Sequence, residues 1–324
     1  MSPAANRQGI LAMLLAMSAF IGSDTLMKIA TGALPPGQIM AVRGLFASLI
    51  TLGLVAAGGE FRRAKGLWSP LVMIRAALEG LIAFLFITAL GQLPLANVTA
   101  ILQATPLILT LLCVAFGLER VGWRGWAAVA VGFVGVLLIV KPSPAGFSAY
   151  AGLALLCVAA AAGRDLVTRF ISRDVPSVVI ALSTTASVGF AGVLFGAGET
   201  WRPPDLAETG LLGAAAVFVA VGNLAIIRSL RNGDASVVAP FRYSIILMSL
   251  ALGALLFDEW PDLPSVLGIA LVTASGFHAF RDGAVEGAGR VHAVVRPRNL
   301  SRHGRCGTSA EPAIRRRHAS HAPQ

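Results

Sequence analysis

The chain has 324 residues, of which 56% are hydrophobic and only 13% charged, with a mean hydropathy of +0.76. Soluble domains carry roughly 25% charged residues, so this composition excludes soluble folding of the whole chain. The formal net charge of +10 would suggest nucleic acid in a soluble protein, but residues 281–324 alone hold nine Arg against three acids. The excess marks a basic tail, and no nucleic-acid partner is expected.

Apolar stretches of about 20 residues, enough to cross a ~30 Å hydrocarbon core, are expected near 9–29, 37–58, 68–90, 95–117, 122–140, 148–170, 176–198, 208–231, 235–257 and 262–280. The first contains Asp24 and Lys28 and is too long for a signal peptide, so it reads as a retained span. Residues 281–324 lack any apolar period and read as a disordered basic tail. That tail either attracts anionic lipid headgroups or has no role in the activity. Cys113 and Cys157 lie in apolar runs as small hydrophobes, and Cys306 lies in the tail. No disulfide, metal or cofactor follows from them.

Lys and Arg mark cytoplasmic loops. With the N-terminus inside, that side carries Arg7, Arg62, Arg63, Lys65, Arg120, Arg124, Arg173 and Arg231, against Lys141 and Arg202 opposite. Both termini are therefore expected in the cytoplasm. Trp68, Trp123, Trp126, Trp201 and Trp260 fall at expected span ends, where amphipathic rings settle at headgroup level.

At an offset near 140 the chain resembles itself. Gly22-Ser23-Asp24 with Lys28 aligns with Gly163-Arg164-Asp165 with Arg169; Ala47-Ser48 aligns with Ala186-Ser187; and Ala96, Val98 and Ala100 align with Ala235, Val237 and Ala239. This predicts an all-α integral membrane protein of ten transmembrane helices in two five-helix repeats, 9–140 and 148–280, followed by the tail. Because five is odd, the second repeat enters the membrane in the opposite sense.

A charge at mid-bilayer costs about 2.5–3.5 kcal/mol on insertion scales, so it faces the bundle interior, a partner or water. The charges within expected spans are Asp24 and Lys28, Arg43, Arg75 and Glu79, Arg164, Asp165 and Arg169, Arg228, and Arg242. By depth, Asp24, Lys28 and Arg43 fall toward the periplasmic end, Glu79 near the middle, and Arg164, Asp165, Arg169 and Arg242 toward the cytoplasmic end. One reading makes these groups substrate-binding or gating residues, with Asp24 and Arg43 closing one side and Asp165 and Arg242 the other. The other has Lys28, Arg169 and Arg228 snorkelling to headgroups, and Asp24–Lys28, Arg75–Glu79 and Asp165–Arg169 forming local pairs one turn apart that aid insertion.

Pro106 and Pro240 occupy comparable depths in the two expected repeats. A proline frees a carbonyl and breaks the helix, and interrupted helices often line a transport cavity. Gln103, Arg242 and Tyr243 cluster beside these breaks. Gly80, Gly132, Gly135, Gly189, Gly192 and Gly253 read as sites of close helix packing.

Several segments resemble the drug/metabolite transporter superfamily, specifically its EamA-type members with ten helices. They are Gly-x-Asp with Lys28 in the first span, Arg43, the Pro94–Val98 stretch leading to Gln103 and Pro106, and Ala239–Tyr243 followed by Phe257-Asp258-Glu259-Trp260-Pro261. The last piece is similar to a branch that includes riboflavin and S-adenosylmethionine uptake proteins. The resemblance covers roughly residues 9–281, and the Arg-rich tail departs from it. It implies a transporter of small organic metabolites in the bacterial inner membrane, with riboflavin or a related vitamin or nucleoside-like solute suited to polar groups beside Phe20, Phe241 and Tyr243. Export of amino acids or other metabolites is the alternative, and a membrane scaffold a second one. A small-molecule substrate and the lipid bilayer are the expected partners, and a homodimer is compatible with them. No Ser-His-Asp, metal-ligand or nucleotide-binding pattern is present, so no enzyme is expected.

Overall fold

A computed structural model of the chain describes residues 3–58, 69–118, 121–141, 148–172, 175, 177–232 and 235–276. The expected tail and the loop residues Arg62, Arg63, Lys65, Trp68, Arg120 and Arg173 lie outside these residues. The described residues are helical, without strand: α1 (Pro3–Thr31), α2 (Pro36–Ala57), α3 (Pro70–Leu90), α4 (Leu95–Leu102), α5 (Thr105–Ala115), α6 (Trp123–Val140), α7 (Ala149–Thr168), α8 (Ser177–Phe195), α9 (Leu206–Asn232), α10 (Ala235–Val238), a 3-10 turn Ala239–Tyr243, α11 (Ser244–Phe257) and α12 (Leu263–Gly276). Nine stretches among the described residues are long and apolar enough to cross a membrane, with α4 and α5 forming one of them. α12 is apolar but shorter, and 277–280 of the tenth expected span lies outside the described residues.

The fold is inside-out relative to a soluble bundle. Leu255 is 80% exposed, and Leu247 and Phe190 are each 71% exposed. Such a large apolar periphery is a surface suited to lipid, whereas helices satisfy their own backbone groups.

Pairing between helices is systematic. α1 packs on α9, α3 on α7, α2 on α8 and α4 on α11, and α6 meets α12 through Gly135 and Gly268. Counting spans in order, these are one with eight, three with six, two with seven, four with nine, and five with ten. Exchanging every span for the one five places away returns the same set of pairs.

Two of the crossings are backbone to backbone. A Cβ added at Gly44 of α2 would lie 2.5 Å from the Cα and the N of Gly189 in α8, and one at Gly268 of α12 would lie 2.5 Å from the carbonyl of Gly135 in α6. Only glycine permits this approach, which gives the helices dispersion contact that lipid cannot replace.

The spans carrying Pro106 and Pro240 are interrupted. Helix α4 ends at Leu102, and α5 resumes at Thr105 with Pro106 in its first turn. Pro106 has no N–H to give Leu102 O, four residues back, and the Thr105 hydroxyl donates to that carbonyl instead at 2.6 Å. Around Pro240 the chain passes from α10 through the 3-10 turn into α11.

Candidate functional site

The ends of α1, α3, α6, α8 and α11 and the starts of α2, α4, α7, α9 and α12 share one face of the bundle, here called the first face; the opposite ends form the second face.

On the first face, α2 and α4 begin behind Pro35 and Pro94, neither of which offers a capping side chain. Their leading N–H groups need acceptors from elsewhere. Two carboxylates from later in the chain supply them: Glu199 Oε1 accepts from Gly37 N at 3.0 Å, and Glu259 Oε2 accepts from Leu95 N at 2.8 Å. A carboxylate there also complements the helix dipole. Lys28 Nζ completes the second tie, 2.6 Å from Glu259 Oε1 and donating to Leu93 O at 2.6 Å. Gln38 Nε2 donates to Arg202 O, and Arg202 pairs with Glu208. Lys141 pairs with Asp262 and holds its carboxyl below the usual carboxylate range.

The charges along the spans form a sequence of alternating sign, running from half-buried Asp24 and Arg43 to exposed Arg242. Asp24 and Arg43 each lie seven residues from the first-face end of their helix, about 10 Å deep at 1.5 Å per residue. The charged neighbours of Arg43 are Asp24 and Glu79. Glu79, near the middle of α3, accepts from Arg164 Nη1 at 3.0 Å, and Arg164 also donates to Asp165 Oδ1 from Nε at 2.9 Å and Nη2 at 2.7 Å. Arg242 in turn has Asp165 and Arg164 as charged neighbours. Arg75 donates to Thr168 and Thr184, and the Ser187 hydroxyl to Ala76 O, so α3 is tied to α7 and α8.

Among the described residues, Lys28 and Glu79 take partners other than the local ones expected from spacing. Lys28 turns away from Asp24 to Glu259 because that carboxylate lies across the bundle at the same level. Glu79 takes Arg164 instead of Arg75, and Asp165 is held by its neighbour Arg164. Among the described residues, neither Asp24–Arg43 nor Asp165–Arg242 closes to a direct ion pair. Arg43 Nε is buried without a hydrogen-bond partner, as are Ser23 Oγ, Asn97 Oδ1 and Ser244 Oγ.

Gln103 caps the end of α4 at the helix break. Tyr243 is 5% exposed and belongs to an apolar cluster with Leu107, Ile139 and Val272, its hydroxyl directed onto Gly276. Phe20 packs against Gly222 in a different cluster, so Phe20 and Tyr243 do not form one aromatic platform. Glu199 and Glu259 carry the first-face ties and had no assigned role in the sequence reading. Their signal was two helix starts without local caps.

The family model of the EamA-like transporter family matches the chain twice, over residues 7–141 and 149–279. The chain is 26% identical over 270 residues to the pseudopaline exporter CntI of Pseudomonas aeruginosa, covering 83% of this chain and 94% of that protein. It is 25% identical over 269 residues to the S-adenosylmethionine uptake transporter of Rickettsia bellii (82% and 90% covered), and 27% identical over 277 residues to the riboflavin transporter of Vibrio cholerae (83% and 91% covered). A crystal structure of a protein 19% identical in sequence shares the fold, with a TM-score of 0.57 over 88% of this chain and 99% of its own. With the two family matches spanning nearly all of the helical bundle, this multi-pass membrane protein is a transporter and belongs to the EamA-like transporter family.

Proposed function

We propose that the chain is a secondary transporter that moves a small organic metabolite across the bacterial inner membrane by alternating access, with both termini in the cytoplasm and the first face toward the periplasm. The observation that carries this reading is the alternating charge sequence Asp24, Arg43, Glu79, Arg164, Asp165, Arg242 inside otherwise apolar helices. Charge is expensive to place at this depth, so its persistence fits a polar path for a solute. The reciprocal helix pairing and the double family match support two five-helix repeats of inverted sense. In such an arrangement one packing scheme serves both access states.

The favoured solute carries both signs of charge. Arg43 keeps a buried donor without an acceptor, and Asp24 lies beside it without a direct ion pair. A guanidinium suits a carboxylate by its forked geometry, and Asp24 suits an ammonium. Amino-acid-like metabolites therefore come first. Riboflavin is the second reading, supported by the riboflavin transporter among the relatives, while the separation of Phe20 from Tyr243 weighs against a stacked ring. Asp165 and Arg242, near the second face, are assigned to gating on the cytoplasmic side.

The test is a panel of labelled amino acids, vitamins and nucleosides assayed for uptake and for efflux in cells expressing the chain. Movement of at least one solute in either direction above the empty-vector level is expected. Wild-type protein that reaches the membrane and moves none of them would contradict the proposal.

A further inference from the structure

Three parts of the chain converge at one carboxylate. Glu259 follows α11 and holds Lys28 of α1 with one oxygen and the first N–H of α4 with the other, while Lys28 also binds Leu93 O just before α4. α4 and α11 belong to the two interrupted spans, and α1 carries Asp24 one turn below Lys28. The position of Glu259 is itself specified. Asp258 ends α11 in the left-handed region at φ 53°, a conformation uncommon outside glycine, and Glu259 N closes the turn onto Gly253 O at 3.0 Å.

Two other helix pairs are held differently. α2 with α8, and α6 with α12, meet at glycines with no room for a Cβ between the backbones. The helices joined at Glu259 share a buried apolar cluster that includes Met27 and Leu95, with Phe257 packed against it, and the polar ties across their first-face ends are a few charged hydrogen bonds, with the Lys28 side chain 10% and the Glu259 side chain 22% exposed. Bonds at a water-accessible rim can be exchanged for water, whereas close backbone packing cannot.

We propose that Lys28, Glu259 and the N-terminus of α4 form a latch that closes the first face over Asp24 and Arg43, and that its release lets α1, α4 and α11 separate at that face. This rests on the transport reading above and names Glu259 as a gating residue for it. Glu199 on Gly37 N has a different part: it caps α2, one of the glycine-packed helices, and so belongs to the fixed frame.

The experiment uses a reporter cysteine in place of buried Ser23, beside Asp24, in full-length protein with Cys113, Cys157 and Cys306 replaced. A membrane-impermeant maleimide is applied from the periplasmic side of cells and, separately, from the cytoplasmic side of inverted vesicles. Glu259→Gln and Lys28→Met should each raise periplasmic labelling at least fivefold and lower cytoplasmic labelling, because releasing one closed state shifts the population between the two. Glu259→Asp, which keeps the charge, should lie between them and wild type, and it remains informative if a neutral variant does not reach the membrane. The charge swap Lys28→Glu with Glu259→Lys should not restore wild-type labelling, because a lysine cannot accept from Leu95 N. Unchanged periplasmic labelling, a rise on both sides that marks general loosening, or full restoration by the swap would each overturn the latch. A wild-type protein that moves solutes yet shows one of these results retires the latch alone, whereas absence of any solute movement retires the transport reading.

Discussion

The glycine crossings and the helices around Glu259 are two ways of holding a membrane bundle together. At Gly44–Gly189 and Gly135–Gly268 the contact is backbone against backbone, with nothing to ionise or exchange with water. At Lys28–Glu259–Leu95 it is charge against helix terminus, at a partly exposed rim. The first arrangement resists any change of spacing, and the second has an alternative partner in water. A transporter needs both: a frame that fixes geometry, and elements that can adopt two arrangements around a shared path.

The frame should break hardest. Gly44→Leu places a side chain where a Cβ alone would sit 2.5 Å from Gly189, and overpacking of this severity costs more than the usual 1–3 kcal/mol. Loss of monodisperse protein on size exclusion is expected, whereas Gly253→Ala, whose added Cβ meets nothing nearer than 3.6 Å, should elute as wild type. Equal behaviour of the two would remove the distinction between frame and mobile elements.

A smaller loss is expected in the interior. Arg164→Gln leaves Glu79 and Asp165 without their shared cation. Fully buried pairs broken this way cost about 3–5 kcal/mol, but these side chains are 20% to 37% exposed, so roughly 1–2 kcal/mol is expected after screening. In detergent this corresponds to a melting temperature lower by roughly 2–8 °C. A wild-type melting curve would show that this guanidinium does not stabilise the fold.

The smallest effect belongs to the exposed pair Lys141–Asp262. The Asp262 carboxyl titrates below its unfolded value, so its contribution is fully present above the ordinary carboxylate range and is lost only as pH falls through the lower folded value. Asp262→Asn should therefore leave stability flat between about pH 5 and 8, and differ from wild type only slightly. A pH-dependent difference near neutrality would mean that another group titrates with it.

Much of this architecture is legible in the sequence because the physics is local. Twenty apolar residues announce a span whatever surrounds them, and Pro106 and Pro240 interrupt their helices by chemistry internal to the backbone. Partners are another matter. The spacing of Asp24 and Lys28 puts them on one face, yet Lys28 bonds to a carboxylate 231 positions away, because helix register across the bundle is set by packing that spacing does not encode. Glu79 and Arg164 met for the same reason. Tyr243, singled out because it follows Pro240 at a helix break, directs its hydroxyl onto Gly276, a contact that spacing along the chain does not encode. Glu199 and Glu259 were detectable only by asking which group would cap helices that begin behind a proline.

On the proposed function, a solute passes through the Asp24–Arg43 region. Its most direct test is solute counterflow in liposomes containing the purified full-length chain, using the solute found in the cellular panel, for wild type, Arg43→Lys and Arg43→Gln at equal incorporation. At least a tenfold loss is expected in Arg43→Gln, which removes a buried Nε that has no hydrogen-bond partner within the fold, and an intermediate rate in Arg43→Lys. Counterflow at the wild-type rate in Arg43→Gln would contradict it.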